Sequence, residues 1–154
     1  MNGHELWLEA CHRIGFEAQP AAFPDGTATS ADAANALGCS IAQIAKSIVF
    51  NAGGKFVLVI TSGQNNVDRK KKLKAYLNEK PSIATPDFVF EQSGYQIGGV
   101  PPFGHLNQPI VFMDQDLVAF DIVWAAAGSS NTVFPISPSK LLELSGAILA
   151  DVKQ

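Results

Sequence analysis

Three short segments hold the residues whose types and spacing could do chemistry. The first is "QIGGVPPFGH", residues 96–105. Gly98 and Gly99 can turn the chain and let a ligand approach the backbone with no Cβ in the way. Pro101 and Pro102 then hold φ near about −65°, and Val100 and Pro101, each preceding a proline, are pushed out of the helical region. Such a segment presents N–H and C=O groups at fixed angles, the arrangement that stabilises charge developing on an acyl oxygen. The same composition also makes a plain turn between a helix and a strand. His105 at its exit could act as a base or donor near neutral pH, or could be a turn histidine bonded back to the loop. The second segment is "IAQIAKSIVF", where Lys46 interrupts an apolar run. It either reaches solvent from a strand edge or turns into a polar cleft to hold an anion. The third is "AAAGSSN", residues 125–131, in which small residues end a strand, Gly128 turns the chain, and Ser129 and Ser130 sit at the sheet margin. A Ser/Asn turn is usually structural; a binding wall is the other reading.

Other chemistries find less support. "SPSK", residues 137–140, matches S-x-x-K formally but lacks the companion elements of serine acyl-transfer enzymes, and Ser137–Pro138 suits a helix start. No G-x-S-x-G elbow, phosphate-binding loop or dinucleotide fingerprint occurs. His4, Cys11, His12, Cys39 and His105 do not fall at metal-ligand spacing, so neither a metal nor an organic cofactor is expected. Cys11 and Cys39 are too few for a disulfide framework and read as reduced thiols.

These residues need a scaffold. The chain has 154 residues, 47% of them hydrophobic and 16% charged, a composition that suits one domain with a buried core. Its net charge of −3 argues against a uniformly basic nucleic-acid binder. Yet five of the eleven basic residues, Arg69, Lys70, Lys71, Lys72 and Lys74, are crowded into "RKKKLK". A solvated helix face is the default for such a run; contact with a phosphate backbone is the alternative. The N-terminus does not read as a signal peptide, and no apolar run approaches the ~20 residues that span a bilayer. A cytoplasmic setting without membrane contact is expected.

Leu6, Ala10, Cys11 and Ile14 recur at helical spacing before Gly15. Ser30 reads as the N-cap of a short helix ending at Gly38. Two β-rich runs flank Ala52-Gly53-Gly54, a hairpin signal. "VDRKKKLKAYL" predicts a helix with Val67, Leu73 and Leu77 inward. Thr85, Pro86 and Gly94 bracket another helix. "PIVFMD", "DIVWAAAG", "NTVFPIS" and "AILADV" read as strands, and "SPSKLLELSG" as a capped helix. This interleaving predicts a mixed α/β (α+β) single domain, residues 1–154, around one sheet.

In register and order, "AKSIVF", "TPDFVFEQSGYQIGGVPPFGH", "PIVFMD" and "AAAGSSNTVFPISPSKLLEL" resemble the YbaK/ProX family of aminoacyl-tRNA deacylases, relatives of the editing domain inserted in bacterial prolyl-tRNA synthetases. The likeness runs over roughly residues 25 to 150 and includes a G-x-x-x-P pattern at Gly98 to Pro102. It implies a mixed sheet or partly closed barrel flanked by short helices. It also implies hydrolysis, in trans, of the ester joining a wrong amino acid to the 3′ end of tRNA. The expected partners are mischarged tRNA for proline and, beyond it, prolyl-tRNA synthetase. On this resemblance Lys46 holds the phosphate or ribose end, and backbone groups of Gly98 and Gly99 orient the ester carbonyl and the attacking water. A ribose hydroxyl of the substrate assists and no side-chain nucleophile is needed. Val100, Pro101, Pro102 and His105 shape the loop side of the pocket. Asp114 could orient the amino group, and Gly128, Ser129 and Ser130 line the far wall. Phe134 stands where the synthetase-inserted domains carry a histidine. The rival readings are a module of the same fold that binds tRNA or protein without cleavage, and a hydrolase of small esters that has no use for the basic run.

Overall fold

A computed structural model describes residues 1–23 and 29–154. The first few positions of the family likeness, 25–28, therefore lie outside the described residues. Helix α1 (Gly3–Ile14) is capped by the Asn2 side chain, which accepts from the Glu5 N–H at 2.8 Å, and Gly15 stops it. After the two-residue strand β1 (Ala21–Ala22) comes α2 (Ser30–Leu37), then a 3-10 turn and the long hairpin β2 (Ile44–Ala52) and β3 (Lys55–Ser62). The cap of α2 is Thr29, not Ser30, since the Thr29 hydroxyl accepts from the Asp32 N–H at 3.1 Å. The hairpin turn falls at Gly53-Gly54 as expected, and the Asn51 side chain accepts from the Gly54 N–H at 2.7 Å.

The basic segment departs from the continuous helix that its spacing predicts. Asp68 caps a π-helical turn, Arg69–Leu73, and only Lys74–Leu77 (α3) is α-helical. The wider turn lets the Leu73 N–H reach the Asp68 carbonyl at 3.0 Å while Leu73 is fully buried. Val67 and Leu77 pack beside it, the inward set expected from the sequence. Strand β4 (Ser82–Ile83), too short to show in the sequence pattern, precedes α4 (Pro86–Ser93), which has Thr85 as its cap and Gly94 as its stop. Strands β5 (Ile110–Asp114), β6 (Val123–Ala126), β7 (Thr132–Ile136) and β8 (Ile148–Ala150) follow, with α5 (Pro138–Ser145) before the last. Ser137 caps α5 by accepting from the Lys140 N–H at 3.3 Å, which accounts for its place in "SPSK".

The eight strands form one mixed sheet in the order β1-β7-β6-β2-β3-β5-β8, with β4 also on β2. The mixed α/β class is the one expected, but the sheet is not a barrel. Its ends, β1 and β8, are two and three residues long, lie at opposite limits of the order and do not pair. With so few ladder bonds to offer, neither edge can close the sheet. Pro135 fits in β7 because β1 covers only Thr132 and Val133, so the missing N–H faces an open edge.

Alternation along the strands divides the interior in two. Val49, Phe56, Leu58 and Ile60 face a core closed by Trp7 of α1, Val89 of α4 and Leu141 of α5. Phe50, Val57, Val59 and Phe112 face a smaller core closed by Leu73 and Val152. Helix α2 lays Ala33 and Ala34 over Ile44 and Trp124.

Candidate functional site

The site lies where the sheet divides. Strand β2 pairs with β6 only at Ile44–Trp124 and Ala45–Ala125, whereas β4 takes the same edge only from Phe50. Between them Lys46, Ser47 and Ile48 have no strand partner on that side, and a cleft of about 390 Å³ opens. Thr29, Ser30 and Ala33 of α2 form one wall and Trp124 to Ala126 of β6 another. Gly98 and Val100 of the glycine-proline loop, with Ser129 and Ser130, close the third.

Lys46 is half-buried in this cleft and makes no hydrogen bond or ion pair among the described residues. Its cross-strand neighbour is Thr61, whose hydroxyl is taken by Asp114 at 3.3 Å. An unpaired ammonium held at a cleft wall suits an anionic or electron-rich ligand. Next to it in the strand, the Ser47 hydroxyl is buried with no partner among the described residues.

The two loop glycines have different roles. Gly98, at φ 93°, is exposed on the cleft, and a Cβ there would meet only Ser130 Cβ at 3.8 Å. Its N–H has no acceptor among the described residues. Gly99 is buried, and its N–H donates to the Gln96 carbonyl at 3.0 Å. A Cβ on Gly99 would lie 2.7 Å from Ser129 Cα and 3.0 Å from its nitrogen. The close approach that Gly99 permits is thus made by the Ser129 backbone and not by a ligand. In turn Ser129 is fixed by its hydroxyl, 2.9 Å from Asn131 Oδ1 and 2.6 Å from Thr132 Oγ1. Gly128 sits against Gly3 of α1, where a side chain on either would overlap the other's carbonyl. Helix α1, the serine turn and the glycine loop therefore form one stack, with the cleft on one side. On the other side is a second hollow of about 640 Å³ lined by Met1, Phe90, Ile97 and Leu106.

Of the residues singled out in the sequence, Lys46, Gly98, Val100, Ser129 and Ser130 meet in the cleft. Gly99 and Gly128 lie behind it, in the wall of the second hollow. Pro101 and Pro102 are buried beneath the loop and line neither space. His105 also stays outside. Its Nε2 donates to the Pro101 carbonyl at 2.7 Å, and its ring stands edge-on to Phe56 and Tyr95 at centroid distances of 5.6 and 6.2 Å. Burial lowers its pKa to about 4, against a smaller upward effect of that hydrogen bond, so the ring is neutral and holds the loop in shape. Asp114, 1% exposed, is used up internally. Oδ2 accepts from Thr61, the Ser62 N–H (3.1 Å) and Asn65 (2.9 Å), and Oδ1 accepts from the Asp116 N–H at 2.9 Å. It ties the ends of β3 and β5 and does not reach the cleft. Phe134 is fully buried, 4.4 Å from the Trp7 ring.

The basic run lies apart, along another groove. Arg69 donates to the Pro81 carbonyl at 2.9 Å, and Lys72 to Asp151 at 2.8 Å and to the Lys153 carbonyl at 2.6 Å. Lys70, Lys71 and Lys74 are exposed. Burial pushes the Cys11 thiol up to about 12, which makes it a poor nucleophile. Among the described residues no three His, Cys, Asp or Glu side chains are gathered as a metal site would need, and no helix is long and apolar enough to cross a membrane.

Sequence reasoning missed Ser47, Trp124 and the α2 end (Thr29, Ser30) as parts of this cleft. Ser47 left a signal: with Lys46 it interrupts the apolar run that continues through Ile48, Val49 and Phe50. The other two arise only from strand divergence.

Comparison with known proteins gives the family and the fold. The chain is 36% identical over 124 residues, 80% of its length and 78% of the other, to the uncharacterized protein YwhH of Bacillus subtilis (strain 168). It matches a proline–tRNA ligase of Thermosipho melanesiensis at 34% identity over 84 residues, only 15% of that enzyme. A crystal structure described as that of a "putative trans-editing enzyme for prolyl tRNA synthetase" superimposes with a TM-score of 0.94 at 35% identity, covering 100% of this chain and 98% of that one. Residues 24–144 match the family model for the aminoacyl-tRNA editing domain, and the chain belongs to that family.

Proposed function

We propose that this protein is an aminoacyl-tRNA deacylase that acts in trans in the cytoplasm, freeing a small amino acid wrongly esterified to tRNA for proline. A synthetase pocket shaped for proline cannot reject small competitors strongly, because one methylene separates substrates by only ~1–3 kcal/mol. A separate hydrolytic site supplies the missing discrimination, and prolyl-tRNA synthetase is its natural companion.

The observation that supports this reading is that one cleft of about 390 Å³, a space suited to an aminoacyl ribose, is lined both by Lys46 and by Gly98, and that neither the Lys46 ammonium nor the Gly98 N–H has a partner among the described residues. In the proposed reaction Lys46 holds the phosphate or ribose end of the substrate. The Gly98 N–H polarises the ester carbonyl, and Gly99, through its contact with Ser129, keeps that N–H aimed. Water attacks the acyl carbon, helped by a ribose hydroxyl of the substrate. The bond from the acyl carbon to the ribose oxygen breaks, the proton passes to that oxygen, and free amino acid leaves. Ser129, Ser130 and Trp124 bound the space for the amino-acid side chain.

The test is a deacylation panel. tRNA for proline is charged separately with alanine, serine, threonine, cysteine, 2-aminobutyrate and proline and incubated with the purified protein. Rapid loss of one or more small residues with prolyl-tRNA spared supports the proposal. Equal stability of all six overturns it.

A further inference from the structure

The groove beside the basic run is floored by Ile48, Phe50 and Ile83 and rimmed by Arg69, Lys70 and Lys71, with a volume of about 640 Å³. Ile83 is 70% exposed although its neighbours on the strand face are apolar and packed. Asp68, which supplies a carboxylate side chain to the wall, accepts from the Lys71 N–H at 3.1 Å as a helix cap. Lys70 and Lys71 make no ion pair among the described residues, whereas Lys72 is turned away and bound to Asp151. A protein of net charge −3 thus concentrates unpaired cations on one apolar trough.

The trough and the cleft take successive stretches of β2, the cleft at Ile44 to Ser47 and the trough at Ile48 and Phe50. Residues 46, 48 and 50 of β2 project from one face, since side chains alternate along a strand. The Phe50–Ile83 pairing sets Ile83 on that face too. From Lys46 to Phe50 the strand advances about 13 Å, which at a stacked rise of ~3.4 Å covers about three to four nucleotides. Apolar floor with a basic rim is the pattern that binds single strands, bases or sugars on the floor and phosphates on the rim.

We infer that this trough receives the unpaired single strand leading to the 3′ end of the RNA substrate, with Lys70 and Lys71 on its phosphates and Lys46 marking its end in the cleft. The inference rests on the function proposed above for the identity of the RNA, but not on turnover.

The experiment measures binding of uncharged RNA to the full chain by fluorescence anisotropy across a salt series. The probes are an RNA hairpin with a four-nucleotide 3′ tail ending in CCA and the same hairpin without the tail. The double variant Lys70→Gln/Lys71→Gln should bind the tailed hairpin several-fold more weakly, with the slope of log affinity against log salt reduced by about 1.4, two contacts at ~0.7 each. The tailless hairpin should bind weakly to both proteins. Lys140→Gln, the same type of change on α5, should leave slope and affinity unaltered. An unchanged slope in the double variant, an equal loss in the Lys140 variant, or equal binding of the tailless hairpin each overturns the inference. So does failure of wild-type protein to bind either RNA, the outcome expected if an acidic protein partner occupies the trough. Because no ester is present, loss of deacylation would strike the proposed function alone, and an unaltered salt slope would strike this inference alone.

Discussion

Lys46 and Asp114 are charged residues on the same sheet, the one a cross-strand neighbour of Thr61 and the other bonded to its hydroxyl, yet they stand in opposite states. Asp114 is almost completely buried and each of its oxygens is occupied, by four donors in all. Lys46 is half-buried beside an open space and has no partner among the described residues. A carboxylate taken out of water must be compensated in the folded chain itself. A cation left uncompensated at a cleft is available to something outside it. The difference separates scaffold from site more clearly than residue type does.

The widest separation should come from removing each charge. Lys46→Ala should cut deacylation of the preferred mischarged tRNA by about 10³-fold, through lost positioning of the ester, and change the unfolding free energy by less than ~0.5 kcal/mol. Asp114→Ala should do the reverse, costing about 3 kcal/mol in urea unfolding because three hydrogen bonds to one charged oxygen and one to the other are lost. Activity per folded molecule should survive. A destabilised Lys46 variant with full activity would erase the contrast.

His105 extends the scaffold side. Its pKa is lowered to about 4 in the fold against 6.5 in the open chain, so between those values the unfolded state binds more protons. Its contribution to stability is complete above pH 6.5 and is lost as pH falls toward 4, by up to ~3 kcal/mol. His105→Gln should flatten that acid limb in thermal unfolding followed from pH 7 to 4. If the limb is unchanged, another group is responsible.

The two glycines sharpen the contrast within one loop. Gly99→Val should cost about 2 kcal/mol, because the branched side chain meets the Ser129 backbone, and should lower kcat as the loop shifts. Gly98→Ala should cost about 1 kcal/mol for its positive φ and alter activity more than stability, since nothing but Ser130 lies near. The smallest effect is expected at Ser47. Ser47→Ala removes a buried hydroxyl with no partner among the described residues, so stability in urea unfolding should hold or rise by a few tenths of a kcal/mol.

Much of the architecture was legible because local signals agreed. Thr85-Pro86, Ser137-Pro138 and the glycine at 94 bracket helices where the structure has them, and Gly53-Gly54 joins the hairpin strands. The π-helical turn was not legible, since its wide geometry follows from burying Leu73 while Lys72 reaches the chain end, a tertiary demand on a run that otherwise favours an α-helix. Strands β1 and β4 are two residues long and carry no periodicity. Among the residues that line the candidate cleft, Lys46, Gly98 and the serine pair stand out from composition and order. The roles of Gly99, Asp114 and His105 could not, because sequence shows that a residue is special without showing which neighbour uses it. Gly99 serves Ser129, Asp114 serves the strand ends, and His105 serves Pro101.

The most direct trial uses tRNA for proline carrying labelled alanine, with protein in excess so that a single turnover is seen. Wild-type protein should release free alanine and return tRNA that can be charged again, while Lys46→Ala, folded and equally stable, should leave the ester at its background lifetime. Alanine retained by the wild type, or released as fast by Lys46→Ala, would contradict the account.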